Sequence, residues 1–382
     1  MQSIPVRAAV LRGGQERFCL EDVTLREPGP GEVLVRISAA GMCPADLLGR
    51  NGIPLAYPLV VGHEGAGIVE GLGPGVTQVK VGDHVVLSFD SCGWCPRCSE
   101  GSPAYCDHFV PLNMVGRRRD GSTPMISPTG EPICGRWFGQ SSFATHAIAT
   151  ERNTVVVAED LPLELLGPLG CGIQTGAGTV LNALKLGPGD SLAVFGTGAV
   201  GLAAIMAAKI AGVSEIIAVD LNAKRRDLAS SLGATRVLDG ADPDIGRQVR
   251  SWTGGGTDAA FDTTGVSTVV VSALNAIRPR GTCALVDVGG DLVIPPRALA
   301  GGRVLTFLTE GNAVPRQFIP RMIGLWRKGQ FPFDRLIRTY PLAEINIAET
   351  HLTSGETIKP VLIPQPVRAS RAAIPCQRVQ RE

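Results

Sequence analysis

The stretch Val194-Phe195-Gly196-Thr197-Gly198-Ala199-Val200-Gly201 constrains this chain more than any other. An apolar run, Ser191 to Phe195, precedes it, and a second, Leu202 to Ile210, follows at helical spacing. The order is strand, glycine turn, helix, the context that gives a G-x-G-x-x-G match its meaning. Gly196 permits the tight turn, Gly198 lets a pyrophosphate approach the backbone, and Gly201 lets helix and strand pack closely. Thr197, Ala199 and Val200 complete the turn, and the free N–H groups of the helix start face the phosphates. A second strand, Glu215 to Val219, ends at Asp220. An acid about 20 residues past the glycines is where a ribose 2′-hydroxyl binds, which favours NAD over NADP.

A chain of 382 residues suits two domains. Before Gly172 the apolar runs are short and broken by glycine and proline, as in Val6 to Val10, Val33 to Ser38 and Leu59 to Glu70. From Gly172 onward strands alternate with longer helical segments, the pattern of a doubly wound parallel sheet. After Gly311 a helix (Gln317 to Lys328) and short strands lead to Ile363 and are expected to rejoin the first domain. The expected fold class is α/β: a β-rich catalytic domain over residues 1–171 and 310–365, a Rossmann domain over 172–309, and a flexible tail over 366–382. A net charge of +1 gives no case for nucleic acid or an anionic membrane as partner. The run Ser191 to Val213 approaches the length of a membrane span, but it contains the glycine turn and Lys209 and divides into strand plus helix. No N-terminal signal pattern is present, so a cytoplasmic location is expected.

Ten cysteines need a reason, and in a reducing compartment clustered thiols point to metal before disulfides. Cys92-x-x-Cys95-x-x-Cys98-x7-Cys106 can wrap one tetrahedral Zn²⁺. A full thiolate set leaves no open position, so this is a structural site. Cys43, His63 (followed by Glu64) and Cys171 form a second, dispersed set. Two cysteines and a histidine are one ligand set of a catalytic zinc with an open fourth position. Spacing alone does not establish this, because a buried thiol or a core histidine is commoner than a ligand.

The order Cys43, Gly62-His63-Glu64, the four-cysteine loop, Cys171 and Gly196-x-Gly198-x-x-Gly201 resembles the zinc-dependent medium-chain alcohol dehydrogenases over residues 5–364. The segments Phe138 to His146, Pro162 to Gly176 and Gly329 to Leu336 are similar to the bacterial aryl (benzyl) alcohol dehydrogenase branch. The resemblance implies a GroES-like catalytic domain beside the Rossmann domain. It implies two Zn²⁺ per chain and NAD, with Cys43, His63 and Cys171 on the catalytic zinc and Glu64 as a mobile carboxylate or alternate ligand. Asp46 would orient His63 through its other ring nitrogen. Thr175 and Val200 would lie against the nicotinamide, Asp220 and Arg225 at the adenosine ribose, and Lys359 at the pyrophosphate. The implied reaction is hydride transfer between NAD(H) and a primary aromatic or allylic alcohol/aldehyde pair, in a homodimer or homotetramer.

The chain departs from that family in one respect. The position two after the first zinc cysteine, usually Ser or Thr and the start of a proton relay, is Ala45. Pro44 precedes it where a basic residue is common, and Leu48 stands where some relatives end the relay with histidine. Either water carries the proton, or the enzyme is a specialised biosynthetic reductase, for example of an iminium carbon, that needs no relay. A nucleotide-binding protein without turnover is the reading from another class, and an open zinc position argues against it.

Overall fold

A computed structural model of the chain describes residues 4–13, 16–287 and 290–364; the tail expected over 366–382 lies outside them. The chain divides into two compact units, Met1–Cys171 with Leu336–Glu382, and Gly172–Arg335.

The first unit is built on two β-sheets. Valine- and isoleucine-rich runs make the strand Glu32–Gly41 the centre of the larger one, buried along nearly its whole length. Glu64–Leu72 pairs with it antiparallel on one side, with Gly41 opposite Glu64. Lys359–Ile363 pairs antiparallel with its end, with Val361 opposite Gly41. This register places Glu64 and the start of the last strand on either side of Gly41. A side chain at Gly41 would run into the Glu64 carboxylate, so the close approach needs glycine. The second sheet has five strands, with Ile4–Leu11 and Cys19–Leu25 as its long pair. Buried Val10, Leu25, Val35, Ile37, Leu87, Phe143, Ile148 and Leu362 belong to the core of this unit.

The second unit is a six-stranded parallel sheet. Its spatial order is Arg236–Asp239, Glu215–Asp220, Ser191–Phe195, Thr257–Asp262, Ile277–Leu285 and Val304–Phe307. Numbered along the chain this is 3-2-1-4-5-6, the dinucleotide-binding order. The connections include the helices Ala199–Ala211, Ala223–Leu232, Ile245–Thr253 and Ser267–Ala276. The α/β fold with a Rossmann sheet therefore matches the sequence reading.

The boundary near residue 310 does not. Residues 310–335, including the helix Pro315–Arg327, fall in the second unit. Gln174 Nε2 donates to Glu310 Oε2 at 3.0 Å, and Gly178 lies so close to the Gly311 carbonyl that a side chain would not fit. These local contacts hold the segment, and the chain re-enters the first unit at Leu336, just before the strand Ile337–Pro341. Among the described residues no helix is long and apolar enough to cross a membrane.

Candidate functional site

The four-cysteine loop follows the strand His84–Leu87. The short helix Pro96–Ser99 and tight turns such as Phe109 N–H to Cys106 O (2.8 Å) fold its cysteines inward. Cys92 Sγ lies 3.9 Å from Cys98 Sγ, and Cys95 Sγ lies 3.9 Å from Cys106 Sγ. A tetrahedron with Zn–S bonds of about 2.3 Å has edges of about 3.8 Å, so the sulfurs already stand at zinc spacing. Backbone N–H groups point at them: Cys95 donates to Cys92 Sγ at 3.2 Å, and Cys92 and His108 donate to Cys106 Sγ at 3.3 and 3.4 Å. All four thiols are free of disulfides. Burial pushes the Cys106 thiol up to about 12, a shift that a bound cation would oppose.

The dispersed set also converges. The candidate ligand atoms of Cys43, His63, Glu64 and Cys171 all lie within 4.8 Å of one another, and all four residues are buried. Cys43 directly precedes the 3₁₀ helix Pro44–Asn51. Glu64 opens the strand Glu64–Leu72, with His63 just before it. Cys171 closes the turn Gly167–Gly170. Asp46, in the first turn of that 3₁₀ helix, ties two of these segments together. Its Oδ1 accepts from His63 Nδ1 at 2.7 Å and Gly62 N–H at 2.9 Å, and its Oδ2 accepts from Cys43 N–H at 3.1 Å. With one proton kept on Nδ1 by Asp46, His63 Nε2 is the ring nitrogen left to bind a metal, and it lies 3.2 Å from Cys171 Sγ. Burial opposes charge on His63, but Asp46 and Cys43 outweigh it and hold its pKa well above the usual histidine value. Cys43 is held well below the ordinary thiol value, chiefly by the Cys171 side chain, with Lys359 assisting against burial. Two thiols, one histidine and a nearby carboxylate fit zinc at a site that keeps one position open.

Two residues that sequence reasoning missed hold this geometry. The Phe138 ring stacks on His63 at 4.4 Å. Gln140 Nε2 donates to the His63 carbonyl at 2.8 Å, while its Oε1 accepts from Gly65 N–H at 3.1 Å. The segment is irregular, with φ of 47° at Phe138 and 57° at Ser141, so no periodicity marks it.

Lys359, which the resemblance assigns to the pyrophosphate, is tied to Glu64 in this structure. It is 2% exposed, and its Nζ donates to Glu64 Oε1 at 2.8 Å, Glu64 Oε2 at 3.0 Å and the Met42 carbonyl at 3.1 Å. It lies inside the first unit against the ligand cluster, engaged by Glu64. Burial works against the ammonium, but Glu64 and Cys43 outweigh it and raise its pKa. Burial pushes the Glu64 carboxyl up, and Lys359 pulls against that shift.

In the second unit the strand Ser191–Phe195 ends at Gly196 (φ 86°), and the helix Ala199–Ala211 starts from Gly198. A side chain at Gly201 would strike the Gly196 carbonyl, whereas one at Gly198 would meet nothing within 4 Å. Close packing at one glycine and open space at the other suit a pyrophosphate resting on the turn. Ala199 and Val200 form the first turn of the helix. Thr197 donates from its backbone N–H and hydroxyl to Asp220 Oδ2 at 2.7 and 2.8 Å, and Asn222 N–H donates to Asp220 Oδ1 at 2.8 Å. Asp220 is thus fixed at its strand end, where a 2′-phosphate would meet a carboxylate. Arg225 sits in the first turn of the helix Ala223–Leu232, with its buried Nε unpartnered among the described residues. Its neighbour Arg226 instead donates to the Asp220 carbonyl at 2.7 Å. Thr175 is buried, with its hydroxyl 3.4 Å from Glu310 Oε2.

Residues 29–159 match the family described as the alcohol dehydrogenase GroES-like domain, and residues 199–319 match zinc-binding dehydrogenase. The chain is 46% identical to geraniol dehydrogenase of Castellaniella defragrans, covering 94% of this chain and 98% of that one. The crystal structure of benzyl alcohol dehydrogenase from Acinetobacter calcoaceticus superposes with a TM-score of 0.90 at 40% identity, covering 96% of this chain and 100% of that one. An alcohol dehydrogenase zinc-binding domain protein from Burkholderia ambifaria gives 0.92 at 44% identity, covering 95% and 99%. Matches on both halves, together with both zinc-suited clusters and the dinucleotide turn, make this chain a member of the zinc-dependent medium-chain alcohol dehydrogenases.

Proposed function

We propose that the enzyme exchanges a hydride between NAD(H) and a primary aromatic or allylic alcohol/aldehyde pair. The observation that carries this reading is the buried Cys43–His63–Cys171 set with its histidine tautomer fixed by Asp46. The relatives named for geraniol and benzyl alcohol support the substrate class, one allylic and the other aromatic. The bound groups supply Lewis-acid polarisation of the substrate oxygen and a hydride acceptor or donor. The chain supplies position and dryness. Cys43, His63 and Cys171 hold the catalytic zinc, and Glu64 stands by as an alternate ligand tethered by Lys359. Cys92, Cys95, Cys98 and Cys106 hold the structural zinc. The Gly196–Gly201 turn takes the pyrophosphate, Asp220 and Arg225 take the adenosine ribose, and Thr175 and Val200 lie against the nicotinamide.

A second reading rests on Ala45, Pro44 and Leu48, none of which can carry a proton. A specialised reductase acting on an iminium carbon delivers hydride without needing that relay. An Ala45→Ser variant separates the readings: if alcohol oxidation is already fast and the serine adds nothing, the missing hydroxyl carries no argument. The substrate class is tested with zinc-loaded protein on benzylic, allylic and short aliphatic primary alcohols, with the matching aldehydes run in reverse. Turnover concentrated on benzylic and allylic members supports the proposal. Silence in both directions with zinc and NADH bound refutes it and makes cyclic iminium compounds the next substrates.

The reading also makes the protein a cytoplasmic homodimer or homotetramer. The edge strand Val304–Phe307, with Val304 and Phe307 about half exposed, is the surface we assign to pairing between copies. Light scattering of the wild type against a Phe307→Lys variant tests it, with an unchanged mass excluding that edge.

A further inference from the structure

Glu310 is buried at 7% exposure, and neither a motif nor the family comparison gives it a task. Its backbone is left-handed, with φ of 50°, and the next two residues follow suit at 61° for Gly311 and 52° for Asn312. A glutamate in that region is uncommon, and such conformations persist where the surroundings fix them. Here the fixing contacts are visible. Gln174 Nε2 and Thr175 Oγ1 both approach Glu310 Oε2, at 3.0 and 3.4 Å, and Asn182 Nδ2 donates to the Gly311 carbonyl at 3.3 Å. The helix Gly172–Gly178, which carries Gln174 and Thr175, abuts the start of the phosphate-facing helix. A side chain on Gly176 would strike the Val200 carbonyl there.

The position of Glu310 in the sheet gives this acid a function. In the order 3-2-1-4-5-6 the dinucleotide lies across the carboxyl ends of two mononucleotide halves. Asp220, at the end of the second strand, marks the adenosine half. The nicotinamide half must then use the ends of strands four, five and six. Glu310 follows directly on the sixth, Val304–Phe307. The nicotinamide ring is cationic when oxidised and neutral when reduced. A fixed carboxylate in its half of the site therefore acts differently on the two forms, and only such a difference can shift the balance between them.

Resting on the NAD reading above, we infer that Glu310 is a positioning residue whose charge favours NAD⁺ over NADH in the bound cofactor, tilting the enzyme-bound equilibrium toward alcohol and NAD⁺. The hydrogen bonds from Gln174 and Thr175 keep that charge in place.

The test uses zinc-loaded wild type, Glu310→Gln and Glu310→Asp, with dissociation constants for NADH from fluorescence titration and for NAD⁺ and ADP-ribose from competition. Glu310→Gln is expected to raise the ratio Kd(NAD⁺)/Kd(NADH) at least tenfold, since a unit charge at an effective dielectric of about 20 still gives about that factor across about 12 Å. Glu310→Asp keeps the charge and should stay near the wild-type ratio. ADP-ribose, which lacks the ring, should bind all three alike. An unchanged ratio in Glu310→Gln, or equal weakening of all three ligands, overturns the inference and leaves Glu310 a packing residue of its loop. A ratio taken on one preparation is insensitive to a misfolded fraction. Wild-type protein that binds neither nucleotide would overturn the NAD reading itself, whereas an indifferent ratio sinks only the role of Glu310.

Discussion

Asp46→Asn changes one atom and tests how the catalytic zinc site is held. Asp46 accepts three buried hydrogen bonds, two on Oδ1 from His63 and Gly62 and one on Oδ2 from Cys43. Asparagine can keep its oxygen toward His63 and Gly62, but its NH₂ then faces the Cys43 N–H, donor against donor. Leaving that buried N–H unpaired costs about 1–2 kcal/mol. Turning the charge-assisted His63 bond into a neutral one costs about 1 kcal/mol more. Part of that cost falls on the metal-free fold as well, and losing such a partner of a metal-binding histidine weakens metal binding about 10–100-fold. A chelator competition assay measures that affinity, with metal analysis counting ions per chain. The four-cysteine site serves as the internal control, since none of its ligands touches Asp46. The expected result is one tightly held zinc beside one weakened by that factor. Wild-type affinity at both sites would show that Asp46 does not orient His63. Loss of both ions together would show general unfolding and refute the local argument.

Lys359→Met leaves the Glu64 carboxylate buried without its cation and should lower stability by about 3–5 kcal/mol, read by denaturant unfolding, with Glu64→Gln added in the same chain restoring much of it. Cys106→Ser should remove the structural zinc alone, so that metal analysis finds one ion fewer per chain and proteolysis opens the loop around Cys92 to Cys106 first. Asp220→Ser should weaken NAD by about 10–150-fold through loss of a charged hydrogen-bond acceptor and leave NADP little affected; equal weakening of both would mean that Asp220 only braces Thr197.

The parts legible in the sequence were those written in short spans. Strand, turn, helix and acid lie within one stretch from Ser191 to Asp220, and their spacing forces their geometry. Cys92 to Cys106 close a single loop, so their meeting needed no knowledge of the sheet. Cys43, His63 and Cys171 are different, because they meet through strand register across distant segments, and only family resemblance could assemble them. Lys359 shows the limit most clearly. Its position is decided by the pairing of Val361 with Gly41 and of Gly41 with Glu64, which no local pattern records. The segment beginning at Glu310 falls on the other side of the expected boundary for a related reason. The alternation of strands and helices ends there, but the contacts of Glu310 and Gly311 with the helix Gly172–Gly178 hold it to the Rossmann sheet.

The central claim is direct hydride transfer from an alcohol carbon to the nicotinamide. Zinc-loaded protein, NAD⁺ and benzyl alcohol with both carbinol hydrogens replaced by deuterium provide the most direct test, with the reduced cofactor analysed by mass spectrometry. The account predicts one deuterium in the NADH for every aldehyde formed, and none when zinc is stripped from the site of Cys43, His63 and Cys171. Aldehyde formed without label in the cofactor, or labelled cofactor from metal-free protein at an undiminished rate, would contradict it.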